Sequence, residues 1–424
     1  MSGSTRRQFL AALGASALSA TAGCVSSNGA TYEGTWSRPG FDDARTGFSP
    51  ATGPTGPLTV AWRTDVFDGY PTTSPVVADG VVYYLHTRGG RGHPHESVVS
   101  AFDAATGEER WRTIVSVENT DELAYHHDSL VVDQRRLYAR TFEGLHALSL
   151  DGDRLWRHPI PTTAQPYPLV APPVVSDGVA VTATYGERTP PIGVAAVDAE
   201  TGQPRWRVGF NTRQIPWTLA ADREQVYVPF FEGDTGLVAL DLQSGTREWS
   251  VSLPVGGPVT VAGDTMFVPL GGDPESIAAT DRRTGAIRWH VPAVRHTESG
   301  VAVAGDLAYY CADRLLLARR RDTGELVWSF GPNPAVSLGW TPVVAGDVVY
   351  AHVERRTESG MSNHLYALDA ATGRVRGSGN VSVSSDLSGL AVVDGAAYVA
   401  LGRGELLCLE SCAVSVLGRC VRNG

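Results

Sequence analysis

The sequence predicts an all-β protein, an eight-bladed β-propeller of four-stranded antiparallel blades with the last blade closed by an N-terminal strand. Three observations predict it. A segment of the form Ala-x-Asp-x-x-Thr-Gly-x-x-x-Trp recurs along the chain, first as Ala101, Asp103, Thr106, Gly107 and Trp111. Ahead of these copies an Asp-Gly or Gly-Asp pair separates two β-branched runs, as in Val76-Val77-Ala78-Asp79-Gly80-Val81-Val82, a tight-hairpin signal. Finally, 47 glycines and 26 prolines punctuate the 424 residues. With no apolar run of membrane-spanning length after the N-terminus, many short strands are favoured over long helices.

The N-terminus reads as an address. Arg6 and Arg7 precede Phe9-Leu10, an Ala-rich apolar stretch follows, and small residues lead into Thr21-Ala22-Gly23-Cys24. A charged start, a short apolar stretch and small residues, in that order, are an export signal. The twin arginine is a receptor-read address. Residues 1–23 are therefore expected to be a twin-arginine lipoprotein signal peptide. The Ala-Gly-Cys end resembles a lipobox, in which the Cys24 thiol receives lipid and becomes the mature N-terminus. Residues 24–56 then form a lipid-anchored tether and leader, and the Ser/Asn/Gly-rich part after Cys24 is a flexible spacer. The propeller is expected over 57–412, and 413–424 form a tail that does not continue the repeat.

Within the propeller each unit reads as strand, Asp-Gly turn, strand, loop, strand, Thr-Gly turn and a strand carrying tryptophan. The period of roughly 40–50 residues is that of propeller blades. Trp62, Trp111, Trp156, Trp206, Trp249, Trp289 and Trp328 fill seven positions, and Gly377 stands in the eighth. Trp62 has no three strands before it, and the last unit, 390–409, has no fourth strand after it. Residues 58–65 are therefore expected to supply the outer strand of the final blade, removing a pair of exposed edges.

The motif has a physical reading. Glycine lets the turn adopt positive φ. The aspartate accepts hydrogen bonds from backbone amides two residues on. The tryptophan stacks between neighbouring blades, with the alanine leaving room for it. Two copies deviate: Arg320 stands in the Asp slot of one, and the copy ending at Trp156 is one residue shorter.

Composition excludes some functions. The net charge is −10, which argues against a nucleic-acid partner. All 35 basic residues are arginines, a usage that fits a GC-rich, salt-adapted (halophilic) source.

The repeat resembles the tryptophan-docking motif of the pyrroloquinoline-quinone (PQQ) repeat propellers. The leader from Trp36 to Pro50 is similar to the segment that precedes their first blade. The resemblance spans about residues 36–410. It implies a propeller that is either a quinoprotein alcohol or sugar dehydrogenase or a non-enzymatic protein such as the outer-membrane assembly lipoprotein. The dehydrogenases use adjacent cysteines, Asn and acidic Ca²⁺ ligands and an Asp base. Here Cys24, Cys311, Cys408, Cys412 and Cys420 include no adjacent pair, and no Cys-x-x-Cys-His haem site occurs. No catalytic, cofactor or metal residue carries over, so no cofactor is expected; PQQ with Ca²⁺ is the alternative.

Other chemistry-bearing residues have plain readings. His86, His93, His95, His126 and His127 fall near two loops and suit Zn²⁺ or Cu²⁺ if those loops meet, but read first as polar rim residues. Cys412 and Cys420 suit a disulfide pinning the tail. Cys311 and Cys408 read as buried thiols. Arg319-Arg320-Arg321 and Arg355-Arg356 read as solvated loops. The expectation is a monomeric, non-catalytic binding or scaffold protein on the outer face of the cell membrane. It is held to lipid through Cys24 and binds a protein or small ligand through propeller loops. Its alternatives are a PQQ- and Ca²⁺-dependent dehydrogenase with a divergent site and an assembly factor for exported proteins.

Overall fold

The computed structural model describes residues 32–66, 73–89, 94–118, 130–133, 135–141, 143–160, 172–185, 192–212, 214, 216, 218–230, 235–272, 275–292, 299–312, 314–331, 336–357, 360–382, 387–402, 404–412, 415–416 and 419–420. Arg6, Arg7 and Cys24 lie outside them. Among the described residues no helix is long and apolar enough to cross a membrane.

The repeat units fold as meanders. The first sheet comprises Val76–Ala78, Val81–Arg88, His95–Asp103 and Glu109–Glu118, in that order. Five further four-stranded antiparallel sheets follow, over 130–159, 174–210, 220–251, 260–292 and 302–330. The remaining long strands form one nine-stranded sheet with two halves. One half is the meander 336–382. The other is Leu387–Val393, Ala396–Leu401 and Glu405–Ser411, to which Gly56–Asp65 adds as the outer strand. Leu58 pairs with Ser411 and Asp65 with Glu405, so the N-terminal strand completes the C-terminal meander. Among the described residues, strand pairing between the halves is confined to Gly56 and Pro57, parallel to Gly377 and Ser378.

The first strands of the meanders pack side by side around a common axis, and Leu387–Val393 returns to Val76–Ala78 of the first sheet. Each meander therefore runs from an inner strand to an outer one. Its Asp-Gly turn and its Thr-Gly turn must lie at the same end, here called the tight-turn face. The connections from second to third strand, and from sheet to sheet, lie at the opposite face. Apolar side chains fill the spaces between sheets: Val76, Tyr83 and Val99 of the first pack with Leu130, Leu137 and Leu148 of the second.

The tryptophans sit at these sheet-to-sheet contacts. The motif alanine pairs with the tryptophan across the outer two strands, as Ala101 with Trp111 and Ala239 with Trp249. An aromatic residue of the second strand packs on the same ring, with Tyr83–Trp111 centroids 5.9 Å apart and Tyr227–Trp249 6.1 Å. The next sheet's glycine also leaves room for the ring. A Cβ at Gly245 would lie 2.7 Å from the Trp206 ring, and one at Gly152 2.7 Å from Trp111. The indole N–H then donates to a carbonyl beside that glycine, Trp111 to Leu150 O at 3.0 Å and Trp206 to Leu242 O at 2.9 Å. Gly377 has no such place to dock. The turn that would receive its ring does not exist, because the outer strand of the following meander comes from the N-terminus. A Cβ there would run into Gly56.

The motif aspartate behaves as a turn clamp. Asp198 Oδ1 accepts from the Glu200 and Thr201 amides and from Thr201 Oγ1. Its other oxygen accepts from Arg205, one residue before the tryptophan, at 2.7 Å. The same pairing recurs as Arg110–Asp103, Arg288–Asp281 and Arg376–Asp369. The Arg205 bond and the Thr201 bonds together hold the Asp198 carboxyl down at about 2.

Candidate functional site

The leader, residues 36–47, has no regular secondary structure of its own beyond the Trp36–Val77 bridge, yet backbone hydrogen bonds tie it to the ring. Trp36 and Val77 exchange two backbone hydrogen bonds of 2.8 Å. The leader then crosses the axis and accepts an N–H from one inner strand after another. Ser37 O takes Val132 N, Asp43 O takes Ala221 N, Ala44 O takes Val261 N, Thr46 O takes Val303 N and Gly47 O takes Val344 N, at 2.7–2.8 Å. A seventh inner strand, Val174–Ser176, gives Val175 N to the Asp43 carboxylate at 2.9 Å. These seven donors occupy the same place in the repeat, three residues before the end of the tight turn. Inner-strand amides that face only the axis would otherwise lack protein partners, a cost of about 1–3 kcal/mol each where water is excluded. The leader thus caps the channel at its tight-turn mouth.

Side chains set the leader's path. The Arg38 guanidinium is buried and ion-paired with Asp43. Burial lowers its pKa to about 10, so it stays charged at neutral pH. Asp42 accepts from Thr46 N at 2.8 Å and Thr46 Oγ1 at 2.7 Å, closing a loop. Burial pushes the Asp42 carboxyl up, and the Thr46 bonds oppose that shift. Phe41 and Arg45 adopt φ of 75° and 60°, a region side chains enter only when the surroundings hold them there.

Beneath the leader lies a cavity of about 90 Å³. Gly40 and Arg45 form its leader side, with Thr260, Thr341, Cys311 and His352 around it. Thr260 donates to Val301 O at 2.6 Å, and Thr341 Oγ1 accepts the Gly300 amide at 2.8 Å. His352 Nε2 meets Asn363 Oδ1 at 2.9 Å. Burial pushes the Cys311 thiol up to about 12, so it is not a thiolate nucleophile at neutral pH. The cavity suits water or a very small polar molecule. A larger, open hollow of about 470 Å³ lies between the fifth and sixth sheets, lined by Asp264, Arg288, Asp306, Arg320, Arg321 and Asp322.

The structure relocates several residues singled out by sequence. His86 is not on a loop: it lies in the second strand of the first sheet, buried, with Nε2 3.1 Å from Ser100 Oγ. Burial lowers its pKa to about 3, and Arg112 and Arg88 add to the shift. His95 is buried at a strand start, opposite Glu118. His93, His126 and His127 lie outside the described residues. Among the described residues no three His, Cys, Asp or Glu side chains gather to hold a metal. Arg319, Arg320, Arg355 and Arg356 are strand residues rather than loops, and Arg321 stands in the turn after its strand. Arg319 donates to Tyr310 Oη and Gly324 O, and Arg355 to Tyr366 Oη. Cys311 and Cys408 are buried free thiols, and Cys412 is disulfide-bonded. The leader's capping role and the Arg–Asp clamp were missed by sequence reasoning. The clamp had a signal, an arginine before the tryptophan in three copies and before Gly377.

The family described as outer membrane protein assembly factor BamB matches residues 54–229, 193–274 and 233–416. The chain belongs to this family. BamB of Burkholderia pseudomallei (strain K96243) is 26% identical over 252 residues, 54% of this chain and 57% of that protein. Quinohemoprotein alcohol dehydrogenase ADH IIB of Pseudomonas putida is 25% identical over 333 residues, 75% of this chain and 42% of that enzyme. The chain spans less than two thirds of both curated relatives. The crystal structure of BamB from Moraxella catarrhalis superposes with a TM-score of 0.58 at 16% identity, covering 83% of this chain and 99% of that one. At that identity the likeness establishes the β-propeller fold, with its PQQ-like repeats. The cavity under the leader is far smaller than the clefts of about 300 Å³ and above that hold drug-sized ligands and cofactors.

Proposed function

We propose that this protein is an exported, lipid-anchored, non-catalytic scaffold or binding protein at the cell surface. Its ring has eight blades, the last two being the halves of the nine-stranded sheet, and the strand 56–65 closes it. The observation that carries the reading is the family match across residues 54–416. It is supported by a channel mouth capped by the chain's own leader and by inter-sheet contacts that make a rigid frame for loops. Arg6 and Arg7 direct export, Cys24 carries the lipid, and a monomer acts through loop contacts to a protein or small ligand. Within this reading, a role as an assembly factor for exported proteins is favoured by the BamB relatives.

Two experiments test it. Replacing Cys24 with Ser should move the protein from the membrane fraction to the medium, and retention would remove the anchor. Calorimetric titration of the folded mature domain with PQQ plus Ca²⁺, at high and low salt, should show no binding. Saturable one-to-one binding at micromolar strength would favour the dehydrogenase relatives' chemistry instead.

A further inference from the structure

The place where the leader leaves the ring bears on how the molecule stands on a membrane. Tyr32 lies on the tight-turn face of the last meander: its hydroxyl donates to Glu410 at 2.9 Å, and its ring stands edge-on to Tyr398 with centroids 6.4 Å apart. Glu33 O accepts the amide of Asp394, in the tight turn of the same meander, at 3.0 Å. From Tyr32 inward the leader's bonds to the inner strands are also at this face. The chain is thus fixed from Tyr32 onward, and only the eight steps back to Cys24 connect it to the lipidation position.

Those eight steps span about 28 Å at full extension, and a flexible segment of that length averages about 15 Å end to end. To turn the opposite face toward the membrane, the tether would have to pass the outer strand, about 5 Å away. It would then descend the height of the sheet. The seven residues of Glu405–Ser411 alone rise about 23 Å. That route exhausts the full extension before any clearance for side chains, and it is nearly twice the average length.

We infer that the tight-turn face of the propeller is held toward the membrane and that the opposite face, where the sheet-to-sheet connections run, points away from it. The inference rests on the proposed lipidation of Cys24. It assigns an orientation without reference to any loop's conformation.

The test uses the full-length lipidated protein reconstituted in phospholipid vesicles with an acceptor dye in the headgroups. Lipid blocks Cys24, so a donor dye can be placed through Ala371→Cys, exposed in a Thr-Gly turn, or Ser252→Cys, exposed in a sheet-to-sheet connection. Energy transfer from position 371 should exceed that from position 252 at least twofold. Inserting twenty Gly/Ser residues after Ser27 should bring the two close together. Equal or reversed transfer with the native tether would overturn the orientation. Vesicle association of the Cys24→Ser variant is read separately: if it stays bound, the lipidation reading fails, whatever the dyes report.

Discussion

Gly245 and Gly305 separate two reasons for glycine at a tight turn. Both have positive φ, 71° and 55°, but a Cβ at Gly305 would meet nothing within 4 Å, whereas one at Gly245 would strike the Trp206 ring. Gly305→Ala should cost about 1 kcal/mol, the backbone term alone. Gly245→Ala should cost about 2–4 kcal/mol, because an overpacked contact adds about 1–3 kcal/mol. Urea denaturation of the two variants checks the difference, and equal losses would remove the docking role of the motif glycine. The motif aspartates make a pH prediction. The folded pKa of Asp198 is about 2 through Arg205 and Thr201, below the ordinary carboxyl value of about 3.9. A depressed carboxyl stabilises the fold above its unfolded pKa and loses that contribution as pH falls. The denaturation midpoint should therefore drop as pH falls from about 4 to about 2. The drop should be shallower in Asp198→Asn, measured at matched ionic strength.

The leader is the element whose worth depends least on its own propensity. It has little regular structure, and what fixes it is a series of backbone carbonyls meeting amides from six inner strands, with the Asp43 carboxylate meeting that of a seventh. Asp43 is its pivot, since one side chain serves both the Val175 amide and the buried Arg38 guanidinium. Asp43→Ala would leave a buried charge and a buried donor unsatisfied, at a cost of about 3–5 kcal/mol. Asp43→Asn keeps an acceptor and should lose less. Hydrogen exchange at Val175, Ala221 and Val261 should accelerate in the alanine variant, and unchanged exchange would mean that the leader does not hold the inner strands. The repeat motif itself was readable because each copy solves the same local problem with the same side chains. The leader's bonds were not, because carbonyls leave no residue-type signature.

For the molecule as a whole, closure is the costly step. The pairing of Leu58 with Ser411 and of Asp65 with Glu405 joins residues more than three hundred positions apart, and it covers what would be an open edge. Removal of residues 1–31 should leave a monomer with unchanged urea unfolding. Removal of residues 1–65 deletes both leader and closing strand, and should give a species that self-associates in analytical ultracentrifugation and unfolds with lower cooperativity. Identical behaviour of the two truncations would show that the ring does not need its N-terminal strand. The Gly377 slot belongs to the same scale. Its missing tryptophan is explained by Gly56 lying against it, a neighbour supplied by the other end of the chain.

The sequence by itself determined the local geometry: where strands begin and end, which turns need glycine, and which aspartates clamp them. Those choices depend on residues within about ten positions of one another, so their side chains carry the signal. Only the tertiary structure decided where the tryptophan rings find room, that the leader caps the channel, and that His86 is a buried strand residue rather than a loop ligand. In each case the partner is a backbone group or a glycine in another sheet, and the long-range packing that brings it there is written in no single segment.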